Sequence, residues 1–117
     1  MSAAGNGYFS VSSGACSVQG SCIRSPNYPS NYDVNSDCTI TVNQQLTLTT
    51  NEFETEADYD KLTIDGTDYD GNEGPNQVQV SSGDAISWNS DNSNTGSGWE
   101  VCGAAGGTNP SGDFSKW

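Results

Sequence analysis

The amino-acid sequence predicts an all-β fold, a two-sheet antiparallel sandwich, and three observations lead there. Several short segments alternate apolar and polar residues, which turns one face of a strand toward a core, and none keeps the three-and-four apolar spacing of an amphipathic helix. Clusters of Gly, Pro, Asn, Asp and Ser separate those segments at short intervals. The polarity comes mainly from Ser, Thr, Asn and Gly, whose short side chains compete with a helical backbone for hydrogen bonds and suit turns and solvent-facing strand positions. Many short strands at this spacing make a sandwich.

In chain order, Tyr8 to Val11 and Cys22-Ile23 are the weaker strand candidates, since neither shows more than a brief alternation. The segment Pro26 to Asn31, with its two prolines and two asparagines, reads as a loop. The clearest strands follow: Cys38-Thr-Ile-Thr-Val42, Leu46-Thr-Leu48, Leu62-Thr-Ile64, Val78-Gln-Val80, Ile86-Ser-Trp88 and Trp99-Glu-Val101. Between them, Asp65 to Asn76 carries three glycines and Pro75, Ser82-Gly83-Asp84 is a tight turn, and Asp91 to Gly98 is polar throughout. Trp88 and Trp99 stand on alternating strands and belong in the core. Tyr28 and Tyr32, in the Pro-rich loop, are less easily buried. Tyr69, at the tip of the acidic turn, is the best exposed aromatic on which a glycan or peptide would stack.

A chain of 117 residues has room for one compact core. Residues 1–10 read as an N-terminal arm, 11–103 as the domain, and 104–117 as a flexible tail or linker, because both ends are rich in small polar residues with little to bury. Phe114 and Trp117 are the exceptions in the tail, available either to the domain or to a neighbour. No signal-length apolar run follows Met1, so any targeting segment is expected to have been lost, and no acceptor sequon for N-glycosylation occurs.

Fifteen Asp and Glu against Arg24, Lys61 and Lys116 give a formal net charge of −12. Such a chain repels nucleic-acid phosphates and anionic lipid, and it suits cations or basic partners. Nucleic-acid binding and membrane insertion are not expected. Cys16, Cys22, Cys38 and Cys102, in a chain without His, lack the close Cys-x-x-Cys pairs of zinc modules and read as disulfides, which places the protein outside the cell or in the secretory lumen. Four cysteines allow three pairings. Without His and without a free thiol, the usual nucleophile–base pairs are unavailable and an enzyme is not expected.

The run Ile23-Arg-Ser-Pro-Asn-Tyr-Pro29 with Asn31-Tyr32, Cys38 and an alternating strand resembles the opening of a CUB domain. Tyr59-Asp60-Lys61-Leu62-Thr63-Ile64 is similar to that family's Tyr-Asp-x-Leu-x-Ile strand, and Ser90-Asp91-Asn92-Ser93 before Gly98-Trp99 to its Ser-Asp-x-Ser loop. The resemblance covers about residues 16 to 102. It implies a jellyroll-like sandwich in a secreted or cell-surface protein, and a first bridge between Cys16 and Cys38, leaving Cys22 with Cys102. The second bridge usual in the family is absent, Ala57 standing where one of its cysteines would be.

Many family members bind calcium at one end of the sandwich. The resemblance carries that site onto Glu56, three residues after Phe53, onto Asp60 and Asp91, and onto the Ser93 carbonyl and Asn94 side chain, with Glu54 or Asp58 as alternatives to Glu56 because the link to Asp60 is short. Calcium takes six to eight oxygens, which three carboxylates with amide, carbonyl and water can supply. Independently of any family, carboxylates drawn together at loop ends repel unless protonated or bridged by a cation, although exposed acids are as a rule merely solvated. The stretch around Asp68, Asp70 and Gly71 is not an EF-hand loop, since Gly66 and Gln77 fall where two of its acids are required.

Two functions follow as expectations. The first is an extracellular calcium-stabilised binding module that recognises a protein Lys or Arg, or a glycan, through Glu56, Asp60, Asp91 and Tyr69. The second is a structural subunit that self-assembles through its terminal arms, drawing on Phe9, Phe114 and Trp117 and on strand addition by Tyr8 to Val11.

Overall fold

The computed structural model describes residues 7–105, and among them the chain is strands and loops without a helix. Ten strands form: β1 (Phe9–Gly14), β2 (Ser17–Gln19), β3 (Cys22–Arg24), β4 (Asp37–Val42), β5 (Leu46–Glu54), β6 (Lys61–Ile64), β7 (Thr67–Tyr69), β8 (Asn76–Val80), β9 (Ala85–Asn89) and β10 (Gly98–Ala105). They make two five-stranded antiparallel sheets, ordered β1-β4-β9-β6-β7 and β2-β3-β10-β5-β8. This is the all-β sandwich that the alternation predicts.

Register follows from the period of two along each strand. On β4, Cys38, Ile40 and Val42 point inward and Asp37, Thr39 and Thr41 outward. Across the sheet, Cys38 pairs with Trp88 and Trp88 with Leu62, while Ile40 pairs with Ile86 and Ile86 with Ile64, so whole rows of apolar side chains face the second sheet. That sheet answers with Ile23, Leu46, Leu48, Trp99 and Val101, all buried. Trp88 and Trp99 meet edge to face, centroids 5.8 Å apart, as expected of core tryptophans. Cys16 and Cys38 form one disulfide, which closes the sandwich from the β2 side onto β4. The other joins Cys22 and Cys102, register partners on β3 and β10.

Several local expectations are corrected. The sandwich starts earlier than the arm boundary drawn from sequence: Phe9 begins β1, pairs with Val42 and is fully buried, because the first strand completes a sheet edge over the core. It is therefore not an exposed aromatic for self-association. At the other end β10 runs on through Ala105, while Phe114 and Trp117 lie outside the described residues. The acidic stretch after Ile64 is not one long turn, since Thr67–Tyr69 pairs back on β6 through a tight turn at Asp65 and Gly66, both at positive φ. Tyr69 thus sits in a strand opposite Leu62, half-buried against the core, and not at a tip. Tyr32, expected near the surface, is 2% exposed: its ring packs edge to face on Trp88 at 4.8 Å.

Candidate metal centre

Where β5 ends, the chain makes a tight turn. Thr55 is buried and ties that turn down, its backbone N–H donating to the Gly71 carbonyl at 2.8 Å and its hydroxyl to the Asp60 carbonyl at 3.0 Å. The N–H groups of Tyr59 and Asp60 both donate to the Glu56 carbonyl, at 3.3 and 3.0 Å, and Asp58 takes a positive φ that lets the backbone reverse. The short link from Glu56 to Asp60 therefore swings the Asp60 side chain inward, to full burial, and leaves Tyr59 62% exposed beside it.

Asp60 is held on both oxygens. The Tyr32 hydroxyl donates to Oδ2 at 2.5 Å and the Asp91 N–H to Oδ1 at 2.8 Å. Tyr32 also accepts the Glu56 N–H at 3.2 Å, so one buried hydroxyl spans the two acids. Burial first, and the hydrogen bond to Asp60 second, push the Tyr32 hydroxyl well above the usual phenol range, so it stays a donor at any physiological pH. Asp91 comes from the loop after β9, which is fixed where Asn35 donates its N–H to the Asp91 carbonyl at 2.7 Å and the Ser93 N–H reaches Asp91 Oδ1 at 3.1 Å.

These turns bring one carboxylate oxygen from each of Glu56, Asp60 and Asp91 within 4.8 Å of one another. Asn94 is at the rim, its Nδ2 donating to Glu56 Oε2 at 2.8 Å, and Ser93 is exposed next to it. The other Glu56 oxygen, Oε1, is buried with no hydrogen-bond partner. Neither described cation answers it: Arg24 pairs with Glu100 at 2.7 Å and Lys61 with Asp68 at 3.9 Å. Glu54 and Asp58 are not in the cluster; Glu54 accepts from the Ser97 hydroxyl at 2.7 Å, and Asp58 donates its N–H to Asp70 at 2.8 Å.

A bare buried carboxylate oxygen among three converging acids is the kind of orphan that an unplaced cation resolves. The donors are all oxygen, which suits a hard ion such as calcium over zinc or copper. The residues present therefore fit calcium.

The chain matches the family model of the CUB domain over residues 13–102. It belongs to the CUB domain family. Among curated proteins none matches it. CUB domains are binding modules of extracellular proteins and not enzymes, and the two disulfides of this one suit an oxidising compartment. Sequence reading did not foresee the places of two residues next to the candidate cluster of this CUB domain. Tyr32 belongs to the Asn31-Tyr32 pair that carried the resemblance, yet nothing local tells that a Pro-rich loop will bury it. Tyr59, not Tyr69, is the exposed aromatic at the acids, and its place in the Tyr-Asp pair was the signal available.

Proposed function

We propose that this CUB domain is a calcium-stabilised recognition module that binds a Lys or Arg side chain on the surface of an extracellular protein. The observation that carries the reading is the unpartnered, buried Oε1 of Glu56 in a cluster with Asp60 and Asp91. The carboxylates of those three residues, with the Ser93 carbonyl and the Asn94 amide, would hold the ion. Calcium supplies the positive charge that lets three acids share one end of the sandwich, fixing the loops before and after β6 and β9. Asp60 is fully buried and committed to Tyr32 and Asp91, so contact with a partner falls to Glu56 and Asp91. A divalent ion balances two of three carboxylates and leaves net negative charge, which a basic side chain meets through charge-assisted hydrogen bonds. Tyr69, the aromatic first expected to stack on a glycan, is half-buried in β7.

The test is calorimetric titration of the full chain with calcium, then NMR titration with a lysine-containing peptide in calcium and in chelator. Calcium binding with a Kd of about 0.1–1 mM, the range of extracellular modules, is expected, and peptide binding only with the ion present. Absence of calcium binding at 10-fold higher concentration overturns the reading.

A further inference from the structure

Each sheet of the sandwich ends, among the described residues, in two strands paired on one side only: β1 and β7 in the first, β2 and β8 in the second. Such an edge offers unpaired N–H and C=O groups to a further strand, and proteins blunt it with charge, brevity or a bulge. Three of the four edges are blunted. Strands β2 and β7 are short, β7 also carries Asp68, and β1 is broken at its middle by the bulge between Val11 and Ser13. In β8 the irregularity falls at the start, where Gln77 takes a φ of +58° and Asn76 and Val78 pair with consecutive residues of β5. Val78, Gln79 and Val80 then run on as regular strand, and no charged residue stands from Pro75 to Gly83.

That neutrality is local. The chain's formal net charge is −12, so two copies repel wherever their acidic surfaces approach. At β8 the repulsion is least. Gln79 stands in one row with Thr47 of β5 and Ala104 of β10, and residues 38–51 hold no charged side chain. Glu73 and Asp84, the acids nearest in sequence, lie beyond the ends of the strand, and Asp84 is turned back onto the Ser81 N–H at 2.8 Å. Two side chains of the strand remain open: Val78 is only partly buried against the core, and Gln79 is exposed, its amide bonding nothing among the described residues.

We infer that β8 is a pairing edge for a second copy of this chain: two β8 strands meet antiparallel about a twofold axis and join two five-stranded sheets into one. The regular run is centred on Gln79. The axis therefore sets Gln79 opposite the same residue of the copy and Val78 opposite Val80 of the copy, an isologous contact in which each position meets a compatible one. The two Gln amides bond on the outer face, Val80 of the copy covers the open side of Val78 on the inner face, and main-chain hydrogen bonds hold the strands together. An interface this small makes a weak, concentration-dependent dimer. Neither the terminal arms nor the metal centre takes part in it.

The test is sedimentation velocity of the full chain in chelator, from about 10 µM to 1 mM. A monomer–dimer equilibrium is expected that tightens as salt rises from about 0.05 to 0.5 M, because the acids of the two copies repel and salt screens them. Gln79→Glu sets two like charges face to face and is expected to weaken the dimer at least about tenfold, whereas Gln19→Glu, the same change of charge at an exposed site on the β2 edge, leaves it. An equimolar mixture of Gln79→Glu and Gln79→Lys is expected to dimerise at least as tightly as the native chain, which separates the pairing from any loss of folding. A native chain that stays monomeric to 1 mM at both salt concentrations overturns the inference. So does a dimer that loosens as salt rises, one that Gln79→Glu leaves intact, or a mixture of the two variants that stays monomeric.

Discussion

Replacing Tyr32 by Phe isolates the contribution of one hydroxyl to the buried acids. The ring stays, and with it the edge-to-face contact on Trp88 at 4.8 Å. Two hydrogen bonds go: the donation to Asp60 Oδ2 at 2.5 Å, and the acceptance of the Glu56 N–H at 3.2 Å. Asp60 is fully buried and keeps only the Asp91 N–H on its other oxygen. A hydrogen bond to a charged group is worth about 1.5–3 kcal/mol, and leaving its partner buried puts the loss at the upper end, so about 3 kcal/mol is expected in chelator. At roughly 4–8 °C per kcal/mol for a domain of this size, Tm falls by about 12 °C or more. Urea unfolding gives the free energy directly, with the midpoint shifted and the slope unchanged. Tyr28→Phe is the control, since Tyr28 is half-exposed and its hydroxyl donates to the exposed Glu52; its expected cost is about 0.5 kcal/mol or less. A Tyr32→Phe loss no larger than the control would refute the argument that this hydroxyl sustains the buried Asp60.

Removing the Cys22–Cys102 bridge by paired Ala substitution releases a loop of 80 residues, which the chain-entropy relation puts at about 4.5 kcal/mol; a urea-derived loss under 1 kcal/mol contradicts it. Gly98→Ala is expected to lower stability by about 2 kcal/mol or more, because Gly98 has φ +92° and an added Cβ would lie 1.9 Å from Ser25 Oγ; a neutral result in the same assay disproves the close packing. Hydrogen bonds from Asn51 first and Arg24 second hold the Glu100 carboxyl below the usual range. Its stabilisation is therefore present above the ordinary glutamate pKa and lost as pH falls through the lowered one. Urea midpoints between pH 2 and 6 should fall less steeply in Glu100→Gln than in the native chain, and parallel curves count against the network. The bond to Glu52, chiefly, pushes the Tyr28 hydroxyl up to about 12; ultraviolet titration should show a late-ionising tyrosine that Tyr28→Phe removes, and an unchanged curve contradicts the pairing.

The fold was legible where burial is one-sided. Strands such as Asp37–Val42 and Ala85–Asn89 have one face in the core, so their alternation survives into sequence. Two short strands escaped. Ser17–Gln19 and Thr67–Tyr69 bury one side chain or none completely, and pairing with a neighbour, not their own pattern, makes them strands. At the site, the motifs named Glu56, Asp60 and Asp91, but the choice of Glu56 over Glu54 and Asp58 depended on a turn whose hydrogen bonds are tertiary: Thr55 to Gly71, and Tyr32 to Glu56. The burial of Tyr32 was illegible for the same reason, since a Pro-rich segment carries no periodicity and Trp88, 56 residues away in sequence, supplies the surface on which the ring packs.

The central claim is that an ion completes the Glu56–Asp60–Asp91 cluster, and thermal unfolding across a calcium titration tests it most directly, with the native chain and Asp91→Ala compared from excess chelator to 10 mM calcium. A site of Kd about 0.1 mM adds about 2.7 kcal/mol at that concentration, a rise in Tm of about 10 °C or more. The account predicts that rise in the native chain and its loss in Asp91→Ala. A native Tm that does not move with calcium would contradict it, as would an equal rise in the variant.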